Sequence, residues 1–225
     1  MIEAVMGTEH FYAALRNYVQ INKMKGSVTS QDLLSALTEQ MNGRINITER
    51  FDKWLTTSGF PLVSITGGAT NMTQAGEKYV EYTVSQQRFM LGRAKPDQMN
   101  RTWHISFHFH TKDSSTGNLI SSLGSSGYAE EDSWLSSTSR NIQVMEHDWI
   151  LANVGHESFY RVNYTAENWA ALTEQLKTDH EVGSLFEPNK FSFSKCFASC
   201  SLSICSVGIN WWPTLSFWLG KVVVS

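Results

Sequence analysis

Cysteine is scarce in this chain: three residues in 225, Cys196, Cys200 and Cys205, all crowded near the C-terminal end. The body of the chain therefore folds without disulfides, and the cysteine spacing matches no zinc-finger pattern. A surplus of positive charge is missing as well. Lys and Arg number 18 against 21 Asp and Glu, a net charge of −3, so no basic field exists to gather nucleic acid or an anionic membrane. The start, Met1-Ile2-Glu3-Ala4-Val5, lacks the charged segment, apolar segment and small-residue cleavage site of a secretory signal. Uninterrupted apolar runs are absent too. Between Lys195 and Lys221 no charge occurs, yet serines, Asn210 and Pro213 dilute the hydrophobicity expected of a membrane span. Two readings of that stretch stand: a tail anchor, or sequence foreign to the fold before it.

What is present suffices for a packed core. With 41% hydrophobic and 12% aromatic residues, the length fits one large or two small domains. The first third reads as helical. Phe11, Leu15, Tyr18 and Val19 share a helical face that ends at Gly26. Thr29 with Asp32 forms a capping-box start for a stripe of Leu33, Leu34, Leu37 and Met41, closed by Asn42-Gly43. A shorter helix from about Thr48 is expected to bury Phe51, Trp54 and Leu55 and to stop at Gly59.

At Phe60-Pro61 the period becomes alternating. Strands are expected through Leu62, Val63 and Ile65, from Tyr79 to Met90, at Asn141 to Met145, at Trp149 to Val154 and at Phe159 to Tyr164. A further strand sets Trp103, Ile105, Phe107 and Phe109 toward the core, against His104, Ser106, His108 and His110. No helical stretch long enough for a parallel crossover separates these strands, which predicts an antiparallel β-sandwich. Residues 114–127 read as a Ser- and Gly-rich loop. A helix restarts at Thr165, with Trp169, Leu172 and Leu176 inward.

Several runs carry a resemblance. These are Met1-Ile-Glu-Ala-Val-Met-Gly7 through Tyr18, Ser30 to Leu37, Phe51-Asp-Lys-Trp-Leu-Thr-Thr-Ser-Gly-Phe-Pro61, Gln86-Gln-Arg-Phe89, and Trp103 with its strand. The most specific set is Asp148-Trp-Ile-Leu-Ala-Asn153 with Phe159-Tyr-Arg-Val-Asn-Tyr164 and Asn168-Trp169. In this order they resemble the aminopeptidase-N-type zinc metallopeptidases, over residues 1 to about 182. The resemblance implies an α+β organisation in four parts. Residues 1–59 are the closing helices of a peptidase domain and 60–164 a β-sandwich. Residues 165–182 begin a helical C-terminal domain, and 183–225 are a divergent tail. It also implies an enzyme that uses zinc to remove N-terminal residues from peptides, in a family that is often membrane-anchored or extracellular.

The chemistry of that enzyme needs two His one helical turn apart, a third carboxylate ligand and a Glu to take a proton from zinc-bound water. The 225 residues contain no HExxH and no GAMEN sequence. No catalytic or metal residue is therefore assigned. The expectation is a fragment, with zinc belonging to the full-length family and peptide substrates met only through a parent enzyme. As an alternative, the chain is a non-catalytic partner that associates with an aminopeptidase or with itself.

Other candidates are weaker. His104, His108 and His110 have the strand spacing at which two imidazoles chelate zinc, but a solvent-facing His face is the favoured reading. His147 beside Asp148 and His156 beside Glu157 have no evident third donor. The cysteines lie among apolar residues, where a thiolate is disfavoured. Trp103, Trp134, Trp149 and Trp169 read as packing residues. Four glycosylation sequons begin at Asn46, Asn71, Asn100 and Asn163, of which chance alone supplies roughly two or three.

Overall fold

The computed structural model describes residues 1–90, 99–122, 129 and 133–178, so the readings made of 183–225 and of the cysteines lie outside the described residues. Helices α1 (Ile2–Met6), α2 (Thr8–Asn22), α3 (Ser30–Gln40) and α4 (Ile47–Thr56) come first. The start of α3 is set by its cap. Thr29 Oγ1 accepts from the Asp32 backbone N–H at 3.2 Å, and the Asp32 carboxylate accepts from the Thr29 N–H at 2.8 Å. Helix α4 starts a residue before Thr48 because Asn46 caps it, its Oδ1 accepting from the Glu49 N–H. Val5, Met6, Ala14, Leu34, Leu37, Met41, Ile47 and Phe51 form the helical core.

Two inward expectations fail here. Val19 and Leu55 are 62% and 63% exposed. On α2, Phe11, Ala14 and Tyr18 share the covered side, so a 3.6-residue period leaves Val19 on the flank. On α4, Phe51 and Trp54 face the core and Leu55 turns past it.

The strand region follows an abrupt corner. Gly59 has φ +98, and a Cβ there would lie 2.6 Å from Arg88 Nε, so only glycine fits before Phe60-Pro61. Strand β1 (Pro61–Met72) pairs antiparallel with β2 (Lys78–Arg88), with a bulge between Gly67 and Ala69. Then come β3 (Ile105–Ser106), β4 (Phe109–Asp113), β5 (Leu119–Ser121), β6 (Trp134–Leu135), β7 (Ser139–Met145), β8 (His147–Ala152) and β9 (Arg161–Asn163). Their order is β7-β2-β1-β9 in one sheet, β3-β6 in a second and β5-β4-β8 in a third. All described pairs are antiparallel except β1 with β9, which run parallel from Leu62↔Arg161 to Ser64↔Asn163. Helix α5 (Ala166–Thr178) follows. The fold is α+β.

One apolar cluster joins the sheets: Val63, Ile65 and Val84, then Trp103, Ile105, Phe107 and Leu135, then Trp149 and Ile150, with Leu172 from α5. The helical block meets it through α4. Trp54 Nε1 donates to the His104 carbonyl at 2.9 Å, and the Arg50 guanidinium lies 5.0 Å from the Trp134 ring and donates to Ser136 Oγ.

The expected alternation at 103–110 breaks down. Ser106 and His108 are buried although they share the parity assigned to solvent. The strand is interrupted after Ser106, and the loop following β8 covers it, the Asn153 N–H donating to the His108 carbonyl at 3.3 Å.

Candidate functional site

The most distinctive residues of the chain converge where β8, β9 and α5 meet. The region has the unsatisfied backbone of a sheet edge, and side chains close it. Asn168, in the first turn of α5, pairs with Ile150 as a neighbouring strand would: its Oδ1 accepts from the Ile150 N–H and its Nδ2 donates to the Ile150 carbonyl, both at 2.9 Å. Two residues along β8, the Tyr164 hydroxyl does the same for Ala152, accepting from the N–H at 2.9 Å and donating to the carbonyl at 3.4 Å. Buried backbone groups left unpaired are costly, so these two side chains close β8 where no described strand adjoins it.

Asn153 organises the turn that follows. It takes the left-handed conformation, φ 53 and ψ 48, which asparagine tolerates better than most residues. Its Nδ2 donates to the carbonyls of Ser158 and Tyr160, each at 2.9 Å, and its Oδ1 accepts from the Ser158 N–H at 3.1 Å. The expected strand to Val154 therefore ends at Ala152 and gives way to a single 3-10 turn, Val154–His156. Burial beside Tyr164 pushes the Tyr160 hydroxyl's pKa upward, so the joint stays uncharged there.

Deeper on α5, Gln175 Oε1 accepts from Lys112 Nζ at 2.9 Å and from Trp149 Nε1 at 3.3 Å. Tyr164 and Trp169 meet edge to face, with centroids 5.1 Å apart. A second buried amide, Gln86, ties the sheets together. It donates from Nε2 to the carbonyls of Trp103, Leu135 and Ser137 and accepts at Oε1 from the Trp103 N–H at 2.8 Å. These arrangements use side-chain amides and a hydroxyl to hold backbone in place.

The histidines form a separate group. His108 is buried, and burial, with His110 nearby, holds its pKa down to about 4. Glu157 Oε2 lies 3.9 Å from His108 Nε2, but that carboxylate is half exposed and solvent-screened, so desolvation prevails. Burial also lowers His110 and His156. His147 donates from Nδ1 to the Met145 carbonyl at 2.7 Å and accepts the Tyr82 hydroxyl at Nε2, at 2.9 Å. Its pKa is lowered by burial, against the opposing pull of Met145 and Asp148.

No protein-family description matches the chain. Curated relatives do. The thyrotropin-releasing hormone-degrading ectoenzyme of Rattus norvegicus is 28% identical over 193 residues, covering 82% of this chain and 17% of the relative. The glutamyl aminopeptidase of Bitis rhinoceros is 26% identical over 186 residues, or 80% of this chain, and the Homo sapiens aminopeptidase N is 23% identical over 192 residues, also 80%. The chain is a relative of the aminopeptidase-N-type metallopeptidases. It spans 17% of the length of each of these three relatives.

Zinc, the metal this relationship implies, does not fit the described side chains. Among the described residues no three His, Cys, Asp or Glu converge on a common point. His108 and Glu157 approach each other, but no third donor of these types joins them.

The sequons differ in setting. Asn46 and Asn100 are exposed, whereas Asn71, near the end of β1, and Asn163, on β9, are half-buried. A glycan on Asn46 would attach through Nδ2 and leave the Oδ1 cap of α4 intact.

Proposed function

We propose that this chain is framework from an aminopeptidase-N-type zinc peptidase, lying beside the active site without contributing a catalytic group. In this reading residues 1–59 close the peptidase domain, 60–164 form its β-sandwich, 165–182 open the helical domain and 183–225 are a divergent tail. The parent enzyme removes N-terminal residues from peptides with zinc, and peptides reach this chain only through it. The observation that carries the reading is the side-chain closure of β8 by Tyr164 and Asn168. The residues that most specifically resemble the family are spent on fastening α5 to the sheets. The lack of an HExxH sequence supports the same conclusion. The word ectoenzyme in the name of the rat relative supports an extracellular or membrane-anchored parent, with Asn46, Asn71 and Asn100 as glycan acceptors. Among the described residues no helix is long and apolar enough to cross a membrane.

The test is release of a fluorescent leaving group from amino-acid amides by the purified chain, with and without a zinc chelator. No turnover is expected in either case. Chelator-sensitive turnover contradicts the proposal.

A second reading, a non-catalytic partner of a full-length aminopeptidase, is favoured by the outer surface of α2 and the turn after it. Tyr12, Val19, Ile21 and Met24 are 49%, 62%, 66% and 89% exposed there. Co-purification with a full-length aminopeptidase supports this reading, and failure to bind one removes it.

A further inference from the structure

An exposed strand edge carries backbone N–H and C=O groups without partners and invites another strand. Most edges among the described residues are short, closed or broken: β1 has no described partner on its β9 side beyond Ser64, but Gly67, Gly68 and a bulge interrupt it there. β3 and β6 have two residues each, β5 and β9 three, and the β8 edge is closed by Asn168 and Tyr164. β7 is different. It has seven residues with no proline, glycine or lysine, and its pairing with β2 runs from Tyr79↔Met145 to Ser85↔Ser139 with no bulge.

Which groups of β7 face outward follows from the hydrogen bonds at its two ends. The Gln86 N–H donates to the Thr138 carbonyl at 2.8 Å, and the Glu146 N–H donates to the Lys78 carbonyl at 3.1 Å. In an antiparallel ladder this sets the parity. Even-numbered residues of β7 turn their backbone toward β2, and Ser139, Asn141, Gln143 and Met145 turn theirs away. Two outward carbonyls are already engaged. Ser137 Oγ donates to that of Ser139 at 2.8 Å, and His147 Nδ1 to that of Met145 at 2.7 Å. Among the described residues the open stretch is therefore centred on Asn141 and Gln143, both with exposed side chains.

We propose that β7 pairs antiparallel with β7 of a second copy of this chain, about a two-fold axis through Ile142. The edge is self-complementary at that register. Asn141 lies opposite Gln143 of the other copy, both are outward-facing, and each such pair exchanges two backbone hydrogen bonds. On one face the two amide side chains meet. On the other, Ile142 meets its own counterpart and Arg140 meets Val144. Arg140 is the only charged residue of the strand, and it already donates to the Trp134 carbonyl at 3.1 Å, so no like charges oppose each other. The side-chain bonds on the Ser139 and Met145 carbonyls favour this central register over slipped ones. The dimer is independent of the enzymatic reading above.

Sedimentation of the 225-residue chain over a concentration series tests the dimer. The unmodified chain should associate reversibly into dimers. Asn141→Lys combined with Gln143→Lys sets lysine opposite lysine twice across the axis and should weaken dimerisation about tenfold. Asn141→Lys with Gln143→Glu sets opposite charges in the same places and should restore it, which also controls for folding. Gln143→Pro removes an outward N–H that β2 does not use and should weaken the dimer as well. The proposal is overturned if the chain is monomeric throughout, if dimers persist unchanged in the double-lysine variant, or if an extended peptide from another protein occupies β7 instead.

Discussion

Tyr164 shows how much a single hydroxyl holds at this joint. It serves both backbone groups of Ala152, and removing it leaves a buried donor without a partner. Tyr164→Phe should therefore lower unfolding stability by about 2 kcal/mol in a denaturant titration, with little change in the slope. His108 supplies the residue-scale pH dependence. Its folded pKa, about 4, lies below the ordinary value of 6.5, so the unfolded chain binds the proton more readily. Stability should be fully present above pH 6.5 and fall as pH drops from 6.5 toward 4, by at most about 3 kcal/mol. His108→Gln should flatten that part of the profile, as read by thermal unfolding at each pH. The burial of His108 was not legible in the sequence. Strict alternation assigns it to solvent, and only a distant loop anchored by Asn153 reverses that. The joint residues stood out as a motif, but which backbone group each one serves depends on the fold.

Among elements, the helix starts were the most legible because their causes are local. Thr29 and Asp32 announce α3 within four residues, and both halves of the capping box form. Thr29→Ala should cost about 1 kcal/mol in thermal unfolding. Strands that depend on distant partners were harder to read. β5 lies within residues 114–127, which read as loop, and β6 has only two residues. The parallel pairing of β9 with β1 follows from the way the chain returns after β8, which alternation does not encode. Helix α5 was legible from its periodicity, but its fastening was not. Asn168→Ala frees both backbone groups of Ile150 and should loosen the helix from the sheets. Hydrogen exchange at the amides of α5 and at Ile150 should quicken together. Faster exchange at Ile150 alone would mean that α5 is held mainly by its apolar side.

At the scale of the molecule, the α+β class and the relationship to aminopeptidase-N-type peptidases were both accessible from the sequence. Periodicity supplied the class, and the runs from Asp148 to Trp169 supplied the relationship. The structure adds a use for those runs: they are spent on closing an edge and seating a helix. A zinc hydrolase needs several donors held around one ion, and the described histidines are spread over α2, the segment from His104 to His110, the start of β8 and the turn after it, with no three donors grouped among the described residues. The direct measurement is the zinc content of the purified 225-residue chain after loading with zinc and dialysis against a mild chelator. Retention far below one ion per chain is expected. One tightly held zinc per chain, together with peptide-trimming turnover, would contradict the framework reading.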